Sequence, residues 1–183
     1  MSTLPRLRRA HCVILVSVLT CGAVASMAVF AQTTGIQQYL VHVQQSVSIT
    51  PPKNVELTHD LSSNPQAFPP QSWIVAGNTT HGVTVNFAVT KPFTHSTNAS
   101  FRRDARLSLA TGSTTGPASW AVTQPSASTN YVGNVNGAVV TARSNNVGRA
   151  NMLLTVTFVT GDPGLLLAGD YVTTVTGTVS ANP

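Results

Sequence analysis

Short segments in which apolar and polar residues alternate fill most of this sequence, and they limit the fold more than any other feature. Residues 83–90, VTVNFAVT, place valines and Phe87 at every second position, with polar or small residues between them. Residues 39–50, 151–158 and 171–179 show the same spacing. Because successive side chains of a β-strand point to opposite faces, this spacing predicts strands with one buried face and one face in water.

Turn-forming residues separate these segments. Turns rich in glycine and asparagine at 77–82 and 144–148 are placed to join neighbouring strands. Proline pairs at 51–52 and 69–70 end other strands, because proline cannot donate to a β-ladder. The sequence therefore predicts an all-β fold: one antiparallel, Ig-like or Greek-key β-sandwich of about eight to nine strands over residues 32–183.

The first 31 residues have a different pattern, which predicts a signal-peptide helix ahead of the sandwich. A basic stretch with three arginines is followed by a long apolar run, and Val29 and Ala31 place small residues just before Gln32. This order of basic, apolar and small residues is typical of secretory signal peptides. We predict cleavage between Ala31 and Gln32, and a protein that is secreted or held at the cell surface, in the periplasm or on the outer surface of a bacterium.

Two alternatives for this segment stay open. The apolar run is long enough for an uncleaved anchor helix, since about 20 apolar residues span a bilayer. The other alternative is lipidation of Cys21, although Val18, Leu19 and Thr20 before it are not the small residues expected at such a site. In either case the membrane is a partner only through this N-terminal segment.

Cleavage changes the charge and the cysteine content. It removes three of the ten basic residues and none of the five acidic ones, so a net charge of +5 becomes +2. Cys12 and Cys21 are also removed, which leaves no thiol for a disulfide or a metal site. Charged residues make up 8% of the chain, against about 25% of an average soluble domain. We therefore predict no nucleic-acid partner, and a polar surface built from hydroxyl and amide side chains.

Few residues are available for catalysis. Asp104 shares a strand face with Arg102 and Arg106, which predicts surface ion pairs, while Glu56, His59 and Asp60 lie at a strand end. A small hydrolase would require His59 and one of these acids to meet a distant serine, and no motif supports that arrangement. We predict no catalytic residues, no metal site and no cofactor.

A few residues are candidates for contact with a ligand or partner. Tyr131 lies in a polar loop, and Arg102 and Arg106 belong to the one basic cluster that follows the signal segment. The two tryptophans, Trp73 and Trp120, are in phase with valines of their segments and are predicted to lie in the core.

Three segments carry a resemblance to a known class of proteins. SVSITPP near the start, SWIVAGNTTHGVTVNFAV in the middle and LLLAGDYVTTVTGTVSA at the end resemble, in this order, secreted bacterial surface β-sandwich proteins, with fimbrial and spore-coat-U-like subunits as the nearest families. The resemblance implies export and assembly on the outer surface. The sequence differs from fimbrial subunits in having no cysteines after Cys21 and no aromatic residue near its last residues.

These features predict an exported, non-enzymatic structural or adhesive protein that self-assembles by strand exchange. The alternating segment 36–49 is the candidate donor strand, since it is next to a free end. The alternative is a cell-surface module that binds carbohydrate or a protein through loops 111–118 and 124–136.

Overall fold

The computed structural model describes residues 32–183, so the predicted signal peptide, including Ala31, lies outside the described residues and Gln32 is the first residue within them. The chain divides into two units, residues 1–41 and residues 42–183. In the first unit, residues 32–41 are described; they have no regular secondary structure, and their side chains are exposed.

The second unit is built from β-strands. In chain order the strands described are β1 (Val47–Thr50), β2 (Gln66–Ala67), β3 (Gln71–Gly77), β4 (Val83–Val89), β5 (Phe93–His95), β6 (Arg102–Thr115), β7 (Trp120–Gln124), β8 (Ser126–Ser128), β9 (Ala138–Ser144), β10 (Gly148–Val159), β11 (Tyr171–Val172) and β12 (Val175–Ala181). A single 3₁₀ turn at Pro163–Leu165 lies between β10 and β11.

The strands form two antiparallel sheets. The larger sheet has the order β1-β3-β10-β6-β5-β11, with β2 paired to β10 and β8 paired to β6, and it curls into a half-barrel. The smaller sheet has the order β12-β4-β9-β7. The predicted all-β antiparallel sandwich is confirmed. Eight of the strands are four residues or longer, and the other four are short bridging strands.

The core lies between the two sheets and follows the alternation in the sequence. Every second residue of β4 is buried, and Phe87 packs edge-on against Trp73 of β3 with ring centroids 5.2 Å apart. On β10, Met152 and Leu154 are buried from the same face. Burial of each such side chain contributes about 1.5–3 kcal/mol. Trp73 is therefore a core residue as predicted, and Trp120 packs against the core while half-buried.

The last strand closes one side of the smaller sheet. β12 pairs with β4 along its whole length, from Val175 opposite Val89 to Ala181 opposite Val83. Gly177 of β12 faces the larger sheet, where an added Cβ would lie 2.7 Å from Ile49 Cδ1 and 2.9 Å from Trp73 Cζ3. A side chain at this position therefore has no space unless the side chains of Ile49 and Trp73 shift.

The N-terminal strand is shorter than the sequence predicts. The alternation over 39–50 predicts one continuous strand, but pairing begins only at Val47, which lies opposite Gly77 at the end of β3. Residues 42–46, which precede Val47 in the same unit, belong to no strand, and one main-chain hydrogen bond joins them to the residue after β3, from Asn78 N to Ser46 O at 3.1 Å. The Asn78 side chain also binds this region, donating to Gln44 O at 2.8 Å and accepting from Ser46 N at 2.6 Å.

Replacement of Gly177 tests the close approach of the two sheets. We expect Gly177→Val to lower the free energy of unfolding by about 1–3 kcal/mol, because the new side chain overpacks the space beside Ile49 and Trp73. Thr178→Val is the matched control, since it adds the same side chain to the outer face of the same strand. Urea unfolding of both variants measures the difference; equal stability would contradict the assigned packing.

Candidate functional site

The loop that carries Tyr131 is held to the larger sheet by Asp104. The Asp104 carboxylate accepts hydrogen bonds from Thr129 Oγ1 and from the Tyr131 main-chain N–H, both at 2.8 Å. A bridge between Asn130 and Val135 closes the loop. The expected ion pairs of Asp104 with Arg102 and Arg106 are therefore wrong, because its carboxylate faces the loop and caps main-chain and hydroxyl groups.

Arg102 and Arg106 share the outer face of β6 with Asp104, so the sequence correctly placed the three on one face. The Arg102 side chain donates from Nε to Ala99 O at 2.9 Å, and Arg106 is exposed. Since Asp104 binds the main chain of Tyr131, the structure brings the Tyr131 loop to the same region of the sheet as these arginines.

The two loops predicted to bind a ligand differ in structure. Most of 111–118 is not a loop: β6 continues to Thr115 and pairs there with β10. The second segment, 124–136, contains the short strand β8, and its turn after residue 130 exposes Val132, 78% of whose surface is accessible. The turn around Tyr131 and Val132 is thus a part of the predicted binding surface that is a loop in the structure, as are residues 116–118.

His59 and Asp60 hold a loop by hydrogen bonds to its main-chain and side-chain groups. His59 Nδ1 accepts from Leu61 N–H at 2.9 Å, and its Nε2 lies 2.8 Å from Thr160 Oγ1. Asp60 Oδ1 accepts from Ser62 N–H and from Gln66 Nε2. The hydrogen bond from the Ser62 main chain is the main reason that the pKa of Asp60 is lowered.

One cluster of buried polar side chains was not predicted. At the corner formed by β5, β6 and β11, His95 and Arg103 are both buried, and Tyr171 is half-buried. The His95 ring lies edge-on to Tyr171 at 5.1 Å, and its Nε2 is 3.1 Å from Ala168 O. Arg103 could have been found in the sequence, because it is in phase with the buried Ala105 and Leu107 of β6.

Surface cavities are shallow. One of about 370 Å³ lies at the ends of β1, β3 and β10, and another of about 410 Å³ lies beside Asn78, His81 and Asn182. Within residues 32–183, no three histidine, cysteine, aspartate or glutamate side chains are placed to hold a metal ion. Among the same residues no helix is long and apolar enough to span a bilayer.

Free strand edges are the more extensive candidate surface. β12 pairs with β4 on one side and has no hydrogen-bonded strand on the other within the described sheets. The inward-facing residues of β12 are half-buried, and its outward-facing threonines are exposed. β1, at the edge of the larger sheet, packs near β12 and is half-buried in the same alternating way. An unpaired edge of this kind can accept an additional strand.

Comparisons with known proteins identify no family for this chain. No family model matches the chain, and no curated protein or solved structure is similar enough to count as a match.

The titration of Asp60 tests how its loop is held. Because the folded-state pKa is lowered, the Asp60 carboxylate contributes stability above its unfolded pKa, and this contribution is lost as the pH falls through the folded value, below about pH 4. We expect carboxyl NMR titration to give Asp60 a midpoint below that of a free aspartate. Gln66→Leu should raise that midpoint, because it removes one donor; an unchanged midpoint would contradict the assigned hydrogen bond.

Proposed function

We propose that this chain is an exported, non-enzymatic structural or adhesive protein of the cell surface that assembles with copies of itself by strand exchange. The observation that carries the proposal is an exposed apolar segment ahead of a sandwich with unpaired strand edges. The secretory pattern of residues 1–31 supports export.

The proposed donor is the part of 36–49 that does not belong to β1. Ile36 is 94% exposed, and Val41 and Val43 are each 82% exposed. Large apolar side chains in such a position have an unfavourable contact with water, which a partner surface would remove. Since Val47 and Ile49 already pair within their own molecule, the segment available for exchange is 36–46.

The proposed acceptor is the free edge of β12. Its seven residues offer main-chain groups to a strand of similar length, and main-chain hydrogen bonds do not require a particular side-chain sequence. The half-buried Val175 and Val179 face inward along this edge, where apolar donor side chains would extend the core. The polar donor residues His42 and Gln44, which alternate with Val41 and Val43, would continue the exposed outer face of β12.

Charge substitutions on the two faces of the donor test this assembly. We expect Val41→Asp combined with Val43→Asp to abolish high-mass species, because both charges would enter the apolar contact. His42→Asp combined with Gln44→Asp adds the same charges at the intervening positions and should retain them. Electrophoresis of surface fractions before and after boiling measures the ladder, and mass spectrometry identifies Gln32 as the expected first residue.

The outcomes separate the proposals clearly. A monomeric wild-type protein in the culture medium would contradict strand exchange, and so would equal loss of the ladder in both double variants. A saturable hydrolytic activity of the purified protein would contradict a non-enzymatic role.

The second candidate is a surface module that binds carbohydrate or a protein. It is favoured by the turn at Tyr131 and Val132, where an exposed apolar residue lies near the face that carries Arg102 and Arg106. We expect Tyr131→Ala to abolish binding in a glycan array or pull-down and to leave the assembly ladder intact. Tyr39→Ala, a change of the same kind in the exposed N-terminal segment, is the control that should retain binding.

A further inference from the structure

Arg103 is a buried cation in an unusual environment. It is 7% exposed and is the only arginine, lysine, aspartate or glutamate that the fold buries among residues 32–183. On β6 it points inward together with Ala105, and it lies opposite the buried Phe93 of β5. A guanidinium keeps its charge at any physiological pH, so burial must be offset by hydrogen bonds and a negative partner.

The hydrogen bonds of Arg103 satisfy the Nη1 group of its guanidinium better than the edge formed by Nε and Nη2. Nη1 donates to Arg102 O at 2.7 Å, whereas Nη2 donates to Asp162 O at 3.3 Å. Nε is buried and has no hydrogen-bond partner among the described residues. Both acceptors are neutral main-chain carbonyls. The Nε–Nη2 edge, which presents two parallel donors, is therefore the underused one.

The segment over this edge is lightly held. Residues 161–169 connect β10 to β11, begin at Gly161 with φ 67° and end at Gly169 with φ 135°. Three side chains fasten the segment by single hydrogen bonds to its main chain: Arg103 to Asp162, His95 to Ala168 and Tyr171 to Leu167. All of its residues except Leu166 are exposed. Rotation at Gly161 would release Asp162 O from Arg103 with little loss of buried surface.

We propose that Arg103 binds a carboxylate at this corner of the sandwich, through Nε and Nη2, in place of Asp162 O. The two oxygens of a carboxylate match the spacing of these two N–H groups, and the pair forms short, charge-assisted bonds. The remaining polar groups of the corner, on His95 and Tyr171, are already bonded to the covering segment. A phosphate would leave further oxygens without donors beside Phe93 and Phe158, so a planar monoanion is the better match.

The test is an NMR titration of the purified protein with acetate in place of chloride at constant ionic strength. We expect a saturable shift of one arginine Nε–H signal. The shift is lost in Arg103→Met and kept in Arg143→Met, which changes an exposed arginine of β9. Arg103→Lys removes the same Nε–H signal while it keeps the positive charge, so it identifies the Arg103 signal if the methionine variant does not fold.

Two results would overturn the site: no saturable shift in the wild-type protein, or a shift that persists without Arg103. An equal response to inorganic phosphate would overturn its preference for carboxylates. A response to acetate alone indicates a small free carboxylate as the ligand. A response also to a short peptide with one glutamate indicates an acidic side chain of a partner, and both results support the site.

Discussion

The structure depends on the inner face of β4. Val83, Val85, Phe87 and Val89 are almost fully buried, and the strand is paired on both edges, with β12 on one side and β9 on the other. Removal of these four side chains from water is comparable in free energy with the net stability of a whole domain, about 5–15 kcal/mol. The larger sheet supplies the opposite wall through Trp73. The candidate sites lie on strands and loops of the two sheets, and the two sheets are held together by packing against the inner face of β4.

Hydroxyl and amide side chains fasten the loops in a chain that has few charges. Asn182 is the clearest case: its Nδ2 donates to His81 O and Ser144 O, and its Oδ1 accepts from Thr84. Asn78 has the same role where the chain enters β1, and Asp104 has it at the Tyr131 loop. Neutral hydrogen bonds of this kind depend less on ionic strength than exposed ion pairs do.

The sequence predicts the long strands well and the contacts of the candidate sites poorly, because alternation reports only which face of a strand is buried. Alternation reports which face of a strand is buried, so β4 and β10 and the core role of Trp73 follow from the pattern alone. Alternation does not report whether a neighbouring strand is present, so the pattern of 39–46 predicts the start of β1 although pairing with β3 begins only at Val47. It also does not report what a loop brings near, and the capping role of Asp104 depends on a loop 25 residues further along the chain. Arg103 is predictable only in part. Its position in the alternation of β6 indicates an inward side chain, but charged side chains are usually exposed, so the alternation alone does not predict its burial.

The pairing of β12 with β4 also determines when the sandwich can form. β4 is complete at Val89, yet its outer neighbour is not synthesised until Ala181. Until then β4 has one open edge, and the wall formed by Ile49 and Trp73 lacks the strand that packs against it at Gly177. Contacts between residues so far apart in the chain form slowly, on a scale of about milliseconds to seconds. The smaller sheet of this chain is therefore completed only after β12, nearly 90 residues beyond β4, has been synthesised.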